Sequence, residues 1–128
     1  MRLMQPSPGE LIDRMTILVL KIKHSDRQEF RDEKESLHKY LASKDWVIPN
    51  ELHQELSTIN TKLWSLEDEQ RQLISKAESD VEEESNDFHQ FSRNAIKIVR
   101  LNDARAETVR KINVACGIDS MEKLHAAN

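Results

Sequence analysis

"SPGELIDRMTILVLKIKHSD", residues 7–26, decides how the rest of the chain is read. Ser7 suits a helix cap, Pro8 the first helical position, and Glu10 the return half of a capping box. Leu11, Ile12, Met15, Leu18, Val19 and Ile22 then recur at i, i+3, i+4, i+7 spacing, one apolar face of a helix. Ile17 and Leu20 fall on the opposite side. A helix apolar on two sides is central in a bundle or shared with another chain. At Ser25–Asp26 the apolar character lapses. Phe30, Leu37 and Leu41 nearly keep the phase of the first stripe, so the spacing predicts a kink or short break near residue 25, then helix to about Ala42.

Working outward, "SKDWVIPN" (43–50) reads as a linker, with Trp46, Val47 and Ile48 folding back and Pro49 or Asn50 starting the next helix. Leu52, Leu56, Ile59, Leu63, Leu66, Gln70 and Leu73 follow a 3.5-residue rhythm, the seam of coiled-coil-like packing. That helix should reach about Lys76. "ESDVEEESND" (78–87) is an acidic, exposed loop. Asn86 or Asp87 caps the last long helix, and Gly117 ends it as a C′ glycine. "DSME" (119–122) opens a short terminal helix. No strand pattern and no internal repeat is visible. The expected fold is therefore all-α. It is an elongated antiparallel bundle of three long helical segments, the first broken near residue 25, plus a short C-terminal helix, in one domain over 1–128.

Composition agrees. Of 128 residues only 2 are Gly and 3 Pro, while 33% are charged, as in helical bundles. The net charge of −4 disfavours nucleic acid as a partner. Cys116 is the one cysteine, so no disulfide forms within the chain, which suits the cytoplasm. Asp13 and Arg14 interrupt any secretory apolar run, and "ILVL" (17–20) is far too short to cross a bilayer.

"RLNDARAETV" (100–109) lies in the middle of the last helix and places polar residues among apolar ones. Asn102 continues a stripe made by Phe88, Phe91, Ala95, Val99, Val109 and Cys116, with Asp103 and Arg105 beside it. On the preceding helix Asn60, Trp64, Glu67 and Arg71 form one ridge, with Asp68 further round. The first helix adds Arg14, Glu10 and Lys21 on one flank and Asp13 on another. These groups are expected to meet at the waist of the bundle. Read structurally, Arg71 pairs with Asp103, Arg105 pairs with Glu67, and Asn102 hydrogen-bonds across the layer, fixing register. Read functionally, Arg71 and Arg105 clamp an anion, Trp64 stacks on a ring, and Glu67 and Asp103 hold a metal or act as a base.

Other chemistry is thinner. "ESLH" (35–38) and "EKLH" (122–125) are Glu-x-x-His motifs, but their placement does not build a di-iron site, so no metal site is expected. Cys116 sits at the negative end of a helix dipole, which raises a thiol pKa and suits a core residue. Arg93, Lys97 and Arg100 form an outward, solvated face. Long thin bundles expose much flank, so a homodimer is expected; Ile17 and Leu20 either lie on its surface or pack under the terminal segment or the 43–50 linker.

"SPGELIDRMTIL" (7–18), "LWSLEDEQR" (63–71) and "NDAR" (102–105) together resemble an uncharacterised bacterial family of short helical proteins, a domain of unknown function. Its members carry Pro-Gly-Glu-Leu-Ile-Asp, Leu-Trp-x-x-Glu-Asp-x-x-Arg and Asn-Asp-x-Arg. The resemblance implies a helical fold and no particular reaction. A second similarity, at the level of fold, is to all-α nucleoside triphosphate pyrophosphohydrolases, which hold magnesium on Glu-x-x-Glu and Glu-x-x-Asp. Glu10-x-x-Asp13 and Glu29-x-x-Asp32 supply the second pattern, but no Glu-x-x-Glu stands where a partner is needed. The leading expectation is a non-enzymatic binding or interaction module without a cofactor, taking a protein partner or a small anionic ligand. The alternative is a magnesium-dependent enzyme acting on a nucleotide or other phosphorylated small molecule.

Overall fold

The computed structural model describes residues 5–76 and 85–118. Four helices follow one another: α1 (Pro8–His24), α2 (Gln28–Ala42), α3 (Asn50–Lys76) and α4 (Asn86–Ala115). No strand occurs among the described residues. The fold is all-α, as the periodicity predicts. Residues 78–84 of the acidic stretch and the terminal helix expected at 119–122 lie outside the described residues.

The helix ends show why the chain starts and stops where it does. Ser7 is extended, and its hydroxyl accepts the backbone N–H of Glu10 at 3.2 Å. At the far end Gly117 takes φ +80°, the left-handed conformation that glycine adopts without strain. Ile118 N–H then reaches the Asn113 carbonyl (2.8 Å) and Gly117 N–H that of Val114 (3.0 Å), a Schellman ending. The cap of α4 is Ser85, one residue before the expected Asn86 and two before Asp87, its hydroxyl accepting Phe88 N–H at 3.1 Å.

The break near residue 25 is a full reversal and not a kink. Ser25 (φ −149°, ψ 102°) and Arg27 (φ −86°, ψ 130°) are both extended, and two such residues stop the helical ladder. The chain then returns along α1. The Lys21 ammonium lies 5.2 Å from the centre of the Phe30 ring, and Arg14 meets Glu33. The expected first long segment is thus an antiparallel pair. One consequence reaches the whole fold: α1 runs parallel to α3 and antiparallel to α4. Residues 13, 16 and 24 of α1 meet residues 60 and 64 of α3, whereas residues 9 and 13 meet residues 113 and 105 of α4.

α1 packs against all three other helices, which is why it is apolar on two sides. Leu18 is fully buried and Leu11, Ile12, Met15 and Leu20 nearly so. Leu20 is covered within the chain itself and is not free for a dimer surface, while Ile17 is half-buried. Ile12, Leu56 and Ile112 form the centre of the core, with Leu41, Ile48, Leu52, Val109 and Cys116 around them. The linker folds back in part: Trp46 and Ile48 are half-buried, but Val47 stays exposed. On α3 the predicted seam holds, with Leu56, Ile59, Leu63 and Gln70 buried.

On α4 the inward face is rotated from the expected one. Asn94, Thr108, Ile112 and Asn113 are buried, Ile98, Leu101 and Arg105 are half-buried, and Val99 and Asn102 are exposed. Four inward positions are polar: Asn94, Arg105, Thr108 and Asn113. A stripe drawn through apolar residues alone therefore slips by about one residue, roughly 100° around the helix.

Candidate functional site

Three helices converge on one carboxylate. Asp13 Oδ1 accepts Asn60 Nδ2 of α3 at 2.8 Å and Arg105 Nε of α4 at 2.8 Å, and Oδ2 accepts Arg105 Nη2 at 2.5 Å. The Asn60 amide nitrogen also donates to Thr16 Oγ1 (2.7 Å), and the Thr16 hydroxyl donates to the Asp13 carbonyl (2.7 Å). The Asp13 side chain is 15% exposed and that of Arg105 31%. A bidentate guanidinium–carboxylate pair is directional as well as attractive, so it fixes how α1 and α4 face each other. The hydrogen bond to Asp13 raises the Arg105 pKa above its ordinary value. Burial opposes this, and the charges of Asp13 and Glu67 add to it.

Two further polar contacts lie along the same seams. Asn94, fully buried, donates to Gln70 Oε1 (3.1 Å) and accepts from Gln90 Nε2 (2.8 Å), while Gln70 Nε2 donates to the Phe91 carbonyl (3.0 Å). Gly9 N–H donates to Asn113 Oδ1 at 2.7 Å, joining the start of α1 to the end of α4. Among the described residues no buried side-chain polar atom lacks a partner.

Of the residues expected at the waist, the structure brings together Asp13, Asn60 and Arg105, with Glu67 close enough to act on the Arg105 charge. The others go elsewhere. Trp64 stacks on His24, with ring centres 4.9 Å apart and planes 14° from parallel. Asp68 accepts from Gln72, four residues on, and Arg71 is exposed. Asn102 and Asp103 are exposed, because the inward face of α4 runs through Leu101 and Arg105 instead. The expected Arg71–Asp103 and Arg105–Glu67 pairs are therefore replaced by Arg105–Asp13. Thr16, Asn94, Gln70 and Asn113 complete the polar contacts that sequence reasoning did not assign. Gln70 did carry a signal, an amide standing on a leucine seam. Cys116 is half-buried, and burial pushes its thiol pKa up.

Arg14 pairs on the outer side of α1. Its guanidinium meets both oxygens of Glu33 on α2, at 2.6 and 2.8 Å. That hydrogen bonding holds the Glu33 carboxyl below the usual carboxylate range. A depressed folded pKa contributes stability that is complete above about pH 4.3, the unfolded value, and is lost as pH falls through the folded one. Both side chains are 40% exposed, so the contribution is below about 1 kcal/mol. Urea unfolding at pH 7 and pH 3 checks it. The Glu33→Gln variant is expected to lose less stability on acidification than the parent chain.

Among the described residues no three His, Cys, Asp or Glu side chains gather as a metal-binding group, and no helix is long and apolar enough to cross a membrane. Residues 1–75 match a family described as a protein of unknown function, DUF4254. The chain belongs to the DUF4254 family. The match takes in α1, α2 and α3 but for its last residue, so Asp13, Thr16 and Asn60 lie inside the DUF4254 stretch and Arg105 beyond it. Comparison with the curated proteins and with the solved structures gives no match.

Proposed function

We propose that this DUF4254 protein is a non-enzymatic binding or interaction module whose polar waist holds the helices in register. One observation carries the reading. Asp13, the carboxylate central to the waist, has both oxygens engaged by Asn60 and Arg105 and is 15% exposed. A general base or metal ligand needs a lone pair turned towards its substrate. Glu67, Asp68 and Asp103 stand at exposed positions on two helices. Buried polar contacts of this kind specify register and partner orientation.

The test is direct. Magnesium with a nucleoside triphosphate is expected to leave the melting temperature unchanged and to release neither phosphate nor pyrophosphate, since a ligand of the native state must raise its stability. Magnesium-dependent turnover that disappears in Arg71→Ala or Asp103→Ala overturns the reading. Homodimerisation in the cytoplasm belongs to the same proposal. Ile96 and Val99, three residues apart on α4, are 54% and 61% exposed and support a shared surface there. Sedimentation at micromolar concentration reads it, and a monomer throughout refutes it.

A further inference from the structure

The backbone of α2 lies close to that of α1 alone among the helices, whereas the backbone of α3 lies close to those of α1 and α4. α2 and α3 therefore stand apart over the face of α1 that lies between them. The gap is a cleft of about 550 Å³, within the range of small-molecule sites. Its floor is Ile12, Met15 and Val19 of α1, and Leu41, Trp46 and Ile48 extend the apolar lining. Val19 is 48% exposed although it belongs to the apolar face of α1, and α2 has no buried residue at all. Both facts describe apolar surface that the described residues leave half covered.

The charged and imidazole groups at this cleft are Lys34, His38 and His53, and no carboxylate lines it. That is a selective arrangement in a chain with 23 acidic and 19 basic residues. The three side chains make no hydrogen bond or ion pair among the described residues. Along α2 the cleft adjoins a second hollow that shares Lys34 and His38, and the one acid there, Glu35, pairs with Lys39 at 3.4 Å. His38 lines the same cleft as Leu41, three residues further along α2.

We propose that this cleft binds a fatty carboxylate of medium chain length, its aliphatic chain on Ile12, Met15 and Val19 and its head group at Lys34, His38 and His53. An apolar floor edged by donors without acid partners matches an amphiphile with a negative end. One ammonium with two imidazole N–H donors suits a monoanion, whereas a phosphate monoester carries nearly two charges. The proposal rests on the reading of the protein as a binding module and names its ligand class.

Calorimetric titration of the full chain with decanoate, below its micellar concentration, tests it. One saturable site is expected. Two methylenes fewer, in octanoate, should weaken binding about tenfold. Decan-1-ol should bind at least tenfold more weakly than decanoate, and Lys34→Ala should weaken decanoate by a similar factor with an unchanged melting temperature. Val19→Trp, a large side chain at a half-exposed position, should fill the cleft and abolish binding. The proposal is overturned if decanoate shows no saturable binding to the folded chain. It is equally overturned if decanol or decyl phosphate binds as tightly, if Lys34→Ala changes nothing, or if Val19→Trp breaks a dimer while decanoate still binds. A failure here without magnesium-dependent turnover leaves the binding-module reading standing. Turnover removes that reading whatever decanoate does.

Discussion

Asp13→Ala is expected to destabilise the protein by about 3 kcal/mol, the low end for breaking a buried ion pair, and to lower the melting temperature by roughly 10 °C. The substitution removes the acceptor shared by Arg105 and Asn60. The Arg105 guanidinium, 31% exposed, is left with Glu67 as the nearby negative charge that acts on it. The Asn60 amide keeps Thr16 alone. Arg105→Ala should cost less, because Asp13 still accepts from Asn60. Replacing both, as Asp13→Leu with Arg105→Met, should recover most of the loss, since an apolar pair of similar volume needs no desolvation of charge. Thermal melts of the parent, Asp13→Ala, Arg105→Ala and the protein carrying both alanines complete a cycle with an expected coupling above about 1 kcal/mol. A loss under 1 kcal/mol for Asp13→Ala would remove the structural role of the waist.

How far this site could be read in advance depends on which signals were local. Ser7, Pro8 and Gly117 act within one turn of their own backbone, so their caps were legible. The seam of α3 was legible because its inward positions are mostly leucine and isoleucine. Asp13, Asn60 and Arg105 could be chosen as polar residues near apolar faces, but their pairing could not. Pairing depends on helix direction, and direction depends on whether Ser25–Arg27 bends or reverses the chain. Both outcomes leave the same periodicity, because Phe30, Leu37 and Leu41 can pack on α1 either way. The α4 face was misread for a different reason. Asn94, Arg105 and Thr108 point inward because partners on other helices or on their own helix satisfy them. Hydrophobic spacing takes no account of such partners, so Asn102 looked central and is exposed.

The same dependence on a distant partner governs Gly9. In an ordinary helix Gly→Ala stabilises by up to about 1 kcal/mol, through reduced backbone entropy of the unfolded chain. Here Gly9→Ala is expected to destabilise by about 3 kcal/mol, as overpacking against a fixed wall does. A Cβ on Gly9 would overlap the carbonyl oxygen of Val109 and lie 2.8 Å from Val109 Cγ1 and 2.9 Å from Asn113 Oδ1. The side-chain atoms can rotate away, but the carbonyl belongs to the α4 backbone. Relief requires α1 and α4 to separate, which strains the Gly9–Asn113 hydrogen bond and the Ile12–Ile112 contact behind it. Asn113→Ala clears one obstacle of three and so should not rescue Gly9→Ala. Urea denaturation reads the effect as a lower midpoint at unchanged slope. Asp13 stands one turn beyond Gly9, and Arg105 one turn before Val109. Separating the helices at Gly9 therefore loosens the ion pair as well, and Gly9→Ala with Asp13→Ala should cost less than the sum of the two. A Gly9→Ala protein as stable as the parent would mean that α1 and α4 do not approach this closely, and full additivity would mean that the ion pair forms without that approach.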